Sequence, residues 1–338
     1  MLDKVNGKLT RFKLIWWCVL IYGLAALAYS IVFLPKFADV FHYPNFFIAP
    51  IMALGSFVAG STFLGGGAVA FPAMTKLLGA SPEEAKQFSL LIQSVGMTSA
   101  SIVIILCRSK IPWRLFFYYI PGAFCGFLFA YFYLKNIIAS SDIKIGFTLF
   151  ILCFYSVFVS IGRSELPHSE LIINRKEIPL LFSAGILGGV ISGLIGSGAD
   201  LVLFCVLSMY FRLDFKVATL LSVMAMAGTA LIGSASIGTL QGFDSWVIDL
   251  WIIAAPVVIF GAPIGAFLCM TISAKKLFIF VSCLVFIEAM SSAILVPIDL
   301  SKVKYFFVLF FISFLAFYGL LKMANLRKTI HYRPDLNI

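Results

Sequence analysis

From its N-terminus the chain alternates long apolar runs with short polar breaks, and the runs are longer than the core helices of a soluble domain. A helix needs about 20 apolar residues to cross the ~30 Å hydrocarbon layer of a bilayer. Ten segments approach or exceed that length: Leu14 to Leu34, Phe46 to Leu78, Ala85 to Cys107, Leu115 to Leu134, Ile143 to Ile161, Ile178 to Phe211, Val217 to Ile237, Val247 to Thr271, Leu277 to Val296 and Val303 to Leu321. The pattern predicts an all-α integral membrane protein, a polytopic helical bundle. The first segment follows basic residues as a signal peptide would, but its length and the aromatics at its start fit an uncleaved anchor better.

Two of the runs are too long for a single crossing, and both are interrupted near their middles by glycine, at Leu64-Gly65-Gly66-Gly67 and at Ile195-Gly196-Ser197-Gly198. Backbone that leaves the helix inside a bilayer must be buried in protein or line a wet cavity, because lipid cannot satisfy its N–H and C=O groups. Each interruption therefore marks a candidate site. The two also register an internal duplication. Gly65-Gly66-Gly67-Ala68 aligns with Gly196-Ser197-Gly198-Ala199, Ala85-Lys86-Gln87-Phe88-Ser89 with Ala218-Thr219-Leu220-Leu221-Ser222, and Gly122-Ala123 with Gly126 aligns with Gly261-Ala262 with Gly265. The chain then divides into an N-terminal segment with the first helix (1–45), a first repeat (46–161), an inter-repeat loop (162–177), a second repeat (178–297) and a last helix with a basic tail (298–338).

If both glycine-broken segments cross the membrane, the repeats are parallel; if both are re-entrant hairpins, they are inverted. The equivalent loop is basic in the first half (Arg108, Lys110, Arg114) and acidic in the second (Asp244, Asp249), as loops on opposite faces would be. Inverted repeats are expected on that ground, although the first leg of each long segment is long enough to cross alone. Either arrangement places both termini in the cytoplasm.

Composition removes the soluble alternatives. Of the 338 residues, 62% are hydrophobic and 12% charged, with a mean hydropathy of +1.05, against about 25% charged in an ordinary soluble domain. Cytosolic enzymes, nucleic-acid binders and secreted modules are excluded together. The net charge of +10 is topological: it concentrates in Lys4, Lys8, Arg11 and Lys13 and in Lys322, Arg327, Lys328 and Arg333, flanks suited to an anionic cytoplasmic membrane surface. The seven cysteines sit singly in apolar runs with no CxxC, so neither a disulfide framework nor a metal site is indicated, and no cofactor is called for.

In the broken helices of secondary transporters, a half-helix N-terminus points free N–H groups and a positive dipole end at an anion near the midplane. Gly65, Gly66, Gly67, Gly196, Ser197 and Gly198 are the candidates for such a cradle, glycine allowing close approach of backbone to ligand; small residues also let helices pack closely without any ligand. Downstream of each break runs a polar stripe: Ser89, Gln93, Ser94, Thr98 and Ser99 in one half, Thr219, Ser222 and Thr229 in the other. Ser89 and Gln93 share a helical face, and Ser89 and Ser222 hold the same repeat position. Their hydroxyls and amide suit an oxyanion, though serine and threonine also back-bond to their own helices. Ionisable groups within spans are few: Asp200, beside the second break, and Glu288, with Lys76 near the end of the first hairpin. Asp200 aligns with Val69, an asymmetric carboxylate that could bind a proton or cation for coupling, or simply cap a helix. Glu288 is a second coupling candidate or a structural interhelical bond.

Other classes of membrane protein fit less well. His42, His168 and His331 all lie in loops or the tail, so an intramembrane serine protease would have no base. An aspartyl protease needs two carboxylates sharing a proton, and only Asp200 is well placed. A channel stays open as an alternative, because nothing in a sequence separates a pore from an alternating-access carrier.

At the glycine breaks the chain resembles the sulfite exporter TauE/SafE family of membrane permeases. The resemblance is carried by Gly60-Ser61-Thr62-Phe63-Leu64-Gly65-Gly66-Gly67-Ala68-Val69-Ala70-Phe71-Pro72, the Leu78-Gly79 turn, Ala85 and Ser89, and more loosely by Gly193 through Gly198 to Ala218 and Ser222. It implies a multi-pass permease of a bacterial-type cytoplasmic membrane for small anionic sulfur or carbon compounds such as sulfite or organosulfonates. The second half departs from the pattern at Gly196-Ser197-Gly198-Ala199-Asp200 and has Leu203 where the first has Pro72. The reading that follows is alternating access of one repeat against the other, about eight full spans plus two broken or re-entrant pairs, with a small anion as substrate and a proton or cation as co-substrate.

Overall fold

The computed structural model describes residues 24, 27–37, 39–41, 45–66, 69–70, 73–107, 111–134, 171–295, 311 and 314–324. Among them there is no β-strand. The helices are α1 (Leu27–Phe37), α2 (Ile48–Ser61), α3 (Pro82–Cys107), α4 (Trp113–Phe129, prolonged by a π turn to Leu134), α5 (Ile178–Ile195), α6 (Ala199–Cys205, prolonged by a π turn to Tyr210), α7 (Phe215–Leu240), α8 (Ser245–Thr271), α9 (Ala274–Leu295) and α10 (Phe314–Ala324). Five stretches among the described residues are long and apolar enough to cross a membrane: α3, α4 with its π turn, α5 with the turn before it, α7 and α8. The expected segments Leu14 to Leu34, Ile143 to Ile161 and Val303 to Leu321 fall wholly or largely outside the described residues.

Local chemistry sets where these helices begin. Helix α3 opens on Ser81-Pro82-Glu83-Glu84, a capping box in which Ser81 N–H donates to Glu84 Oε2 (2.6 Å) and Glu84 N–H to Ser81 Oγ (3.3 Å), with proline at the first helical position. Asp214 caps α7 by accepting from the Lys216 and Val217 N–H groups at 3.0 and 3.4 Å, and Asp244 caps α8 through the Trp246 N–H at 2.9 Å.

The second break falls where glycine predicts it: α5 ends at Ile195, Gly196 takes φ +87°, and α6 begins after Gly198. The first comes earlier than expected. Helix α2 stops at Ser61, and residues 62–66 form a turn whose Gly65 has φ +71°. Thr62 ends the helix by bending its Oγ1–H back to the Val58 carbonyl at 2.9 Å while its own backbone turns extended. After each break the chain doubles back. Val69 packs on Gly55 and Ala199 on Gly188, whereas a continuous helix would separate them by roughly 21 and 16 Å at 1.5 Å per residue.

Small residues then dock the helices. Along α4 and α5 there is no room for a Cβ at Gly126, against the Ile186 carbonyl, or at Gly189, against the Ala123 carbonyl. Along α2 and α8 the same holds for Gly265, against the Phe57 carbonyl, and Gly60, against the Ala262 carbonyl. Such close backbone approach is what drives helix association where lipid removes the hydrophobic term. Helices α3 and α7 cross the centre antiparallel: Gln241 at the end of α7 bonds Glu83 at the start of α3, and Leu90 packs on Gly233. Helix α8 runs along α3 in the same direction, with the Asp244 N–H on Gln87 Oε1 at 3.0 Å and Val258 against Gly96.

Candidate functional site

The turns after α2 and α5 are brought together in the interior. Phe63, in the first turn, stacks on Phe204 of α6 with ring centroids 3.8 Å apart and an 11° interplanar angle, and Phe215 closes on both edge-on. Gly65 lies directly against the Asp200 carboxylate, so a Cβ there would run into Oδ2. Gly66 lies against the side chains of Gln93 and Ala59. Gly196 is pressed on α3, where a Cβ would come 2.7 Å from the Lys86 carbonyl oxygen and 2.8 Å from Ser89 Cβ. The α6 start is braced from α4 by Tyr119, whose Oη–H donates to the Ala199 carbonyl at 2.6 Å, and from α5 by Ser192 Oγ, which accepts from the Ala199 N–H at 3.3 Å.

Gln93 ties the parts together. Its Nε2–H2 donates to the Gly196 carbonyl at 2.8 Å and to the Ser89 carbonyl at 3.0 Å. Both neighbours are acceptors, which fixes the orientation of the amide and leaves Oε1 facing elsewhere. Among the described residues that oxygen has no hydrogen-bond partner, and neither do Ser89 Oγ, Ser197 Oγ and Asp200 Oδ2, although all four are buried. Proteins rarely leave buried polar atoms unpaired, so four around one pair of turns is a signature of a ligand position. The two hydroxyls can donate to an oxyanion. The amide oxygen and the carboxylate can only accept, unless Asp200 is protonated; they call for a proton, a cation or a hydrogen-bearing group.

Asp200 sits in the first turn of α6, where the helix dipole favours a carboxylate, and its Oδ1 accepts the Leu201 N–H at 3.0 Å. It is fully buried, and Oδ2 faces the first break across Gly65. Gly198 holds the αL position before α6, with φ +110°. The expected residues Gly65, Gly66, Ser89, Gln93, Gly196, Ser197, Gly198 and Asp200 thus form one cluster. Gly67 lies outside the described residues, as do the side chains of Glu288 and Lys76.

Ser222 is buried on α7, but its hydroxyl is turned onto its own helix, donating to the Thr219 carbonyl at 2.8 Å. Ser94, Ser99, Thr219 and Thr229 make the same kind of backbone bond, so most of the polar stripe reads as helix-internal. Among the described residues no three of His, Cys, Asp or Glu are grouped to hold a metal ion. An apolar groove of about 640 Å³, lined by Tyr29, Leu34, Phe37, Phe260 and Ile264, opens between α1 and α8 away from the breaks, and its lining suits acyl chains rather than an anion.

Two site residues escape sequence reasoning. Tyr119 sits in an aromatic-rich run, where nothing marks it as a brace. Lys86 follows a capping box and looks like a surface helix start, yet it is 2% exposed and its backbone abuts Gly196. Its spacing from Ser89 and Gln93, three and seven residues, was the available signal, since it puts all three on one face.

The family model described as Sulfite exporter TauE/SafE matches residues 47–292, a span that contains both breaks and every residue of the cluster. No curated protein and no solved structure matches the chain.

Proposed function

The chain belongs to the sulfite exporter TauE/SafE family, and on that premise we propose that it is a secondary transporter for a small oxyanion, sulfite or an organosulfonate, working by alternating access in a cytoplasmic membrane with both termini inside. The observation that carries this reading is the meeting of the two glycine turns around four buried polar atoms that have no partner among the described residues. Ser89 and Ser197 hydroxyls, with the N–H groups of Gly66, Gly67 and Gly198, hold the oxyanion. Asp200 and Gln93 accept from the coupling proton or cation, and Asp200 is the element that makes transport pH-sensitive. Ser222 and Glu288 are assigned secondary parts, in substrate binding and coupling.

The reading includes inverted repeats with re-entrant hairpins. Support comes from the antiparallel course of α3 and α7, which hold equivalent places in the two repeats, and from the doubling back of the chain at Gly55–Val69 and Gly188–Ala199. The paired docking of α2 on α8 and α5 on α4 supports it too, because equivalent glycines make equivalent contacts. Each half then contributes one hairpin tip to the site, and rocking one half against the other would open the tips to alternate sides.

Substrate counterflow in proteoliposomes tests the function. Labelled sulfite, thiosulfate, a small organosulfonate and a carboxylate are each offered to vesicles preloaded with the unlabelled compound. A carrier accumulates label transiently with no imposed gradient. Passive equilibration would make the protein a channel, and immobility of every anion would overturn the assignment of substrate class.

A further inference from the structure

Lys86 is a lysine that a helix inside a membrane protein has little reason to bury. Its side chain is 2% exposed and its Nζ is paired with Glu83 Oε2 at 2.6 Å, one turn toward the half-exposed end of α3. Glu83 is in turn held from the other half: Gln241 Nε2–H donates to its Oε1 at 3.2 Å, and Tyr131 Oη–H donates to Gln241 Oε1 at 2.8 Å. An ion pair of this kind adds little net stability over two apolar side chains of similar size, because both charges lose hydration. What it does supply is a cation on a flexible stem.

The backbone that carries this cation lies against the second break, while the ammonium itself is drawn one turn back to Glu83. A Cβ on Gly196 would lie 3.2 Å from Lys86 Cα, and Ser89 and Gln93 follow on the same face of α3. From the mouth inward the stripe therefore runs Glu83, Lys86, Ser89, Gln93: carboxylate, ammonium, an unpartnered hydroxyl and an amide with an unpartnered oxygen. Two carboxylates near the start of α3 and α8 are engaged elsewhere, Glu84 on the Ser81 N–H and Asp244 on the Trp246 N–H. Lys216 is at the opposite end of α7, on the Met270 carbonyl at 2.7 Å.

We propose that Lys86 is the charge-selecting residue of the anion site: Glu83 holds it while the site is vacant, and an oxyanion resting on Ser89 and Ser197 takes Glu83's place as its partner. This deepens the permease reading and rests on it. Glu83, freed from Lys86, keeps its bond from Gln241 and its contact with water, so the exchange leaves no buried charge alone. The site takes anions in preference to neutral compounds because only an anion can replace a carboxylate at a buried ammonium.

The test uses the purified full chain and sodium sulfite against sodium chloride at equal ionic strength. Two readouts are taken: the sulfite-induced rise in thermal midpoint in detergent, and the KM for sulfite in counterflow. Lys86→Gln should abolish the sulfite-specific rise and increase KM about tenfold or more, as loss of a charge-assisted bond does, while Lys86→Arg keeps most of both. Glu83→Gln should enlarge the rise and lower KM, because the anion no longer competes with a carboxylate. The double variant Glu83→Met with Lys86→Met removes the pair without stranding a charge; it should fold and insert yet show no sulfite response. Wild-type counterflow together with an unaltered KM in Lys86→Gln or in the double variant overturns this proposal alone. A wild type that neither responds to sulfite nor moves it overturns the permease reading and this proposal with it.

Discussion

Replacing Gln93 with methionine separates a ligand position from a structural clasp. The substitution keeps length and volume, so packing changes little. Two bonds from Nε2 disappear, at 2.8 Å to Gly196 and 3.0 Å to Ser89. The Ser89 carbonyl lies within α3 and keeps its helical donor. The Gly196 carbonyl, in the turn, is left without one, at about 1–3 kcal/mol. Against this, Oε1 is removed as well, and relieving a buried unpartnered oxygen returns about 1–3 kcal/mol. Fold stability should therefore stay within about 2 kcal/mol of wild type, a shift of only several degrees in thermal midpoint at roughly 2–4 °C per kcal/mol. Transport should suffer far more: losing a hydrogen bond to a charged ligand or co-ion costs about 1.5–3 kcal/mol, a ten- to hundred-fold rise in KM. Thermal unfolding in detergent and counterflow on the same preparation measure both. A large stability loss with normal KM in the surviving folded protein would make Gln93 a clasp and refute the reasoning.

Three more outcomes follow from the same geometry. Gly65→Ala must pay about 1–2 kcal/mol for its left-handed φ and drive a methyl into the Asp200 carboxylate, so transport should be lost; Gly79→Ala, with a similar φ of +67° and nothing near it, should lose comparable stability and keep counterflow, and equal activity in the two would dissociate Gly65 from the site. Asp200→Asn preserves shape while removing the titrating group, so the pH profile of counterflow should flatten, and an unchanged profile returns Asp200 to a helix-capping role. Ser89→Ala should slow transport with little effect on thermal midpoint, whereas Ser222→Ala, whose hydroxyl already bonds its own helix, should have the smaller effect; the reverse order would mean that α7 lines the site more closely than its hydrogen bonds indicate.

Glycine and hydrophobic length made the framework legible. A run too long for one crossing, broken at Gly196, has few solutions in lipid, and the small residues Gly122, Gly126, Gly261 and Gly265 all fall at close contacts between helices. The cluster was legible in outline for the same reason, since a break inside a membrane segment needs polar company. The first helix end was misplaced because Thr62, not the triple glycine, terminates α2, and a hydroxyl's choice to bond the preceding turn leaves no trace in hydropathy. Lys86 was missed because charge near a helix start ordinarily means solvent. Ser222 was credited by symmetry with Ser89, but the side chains have different surroundings: Ser89 faces Gly196 on the neighbouring turn, while Ser222 folds back on Thr219.

The docking of α2 on α8 has a consequence for how the chain is made. Gly60 and Phe57 find their backbone partners on a helix that ends at Thr271, so roughly two hundred further residues must be synthesised before that face is covered, about 10–40 s at 5–20 residues per second. Helix α4, by contrast, receives α5 soon after both have emerged. Biogenesis is thus asymmetric even where the finished contacts match: one arm is clasped almost at once, and the other waits in the bilayer or in the insertion machinery for a partner not yet translated.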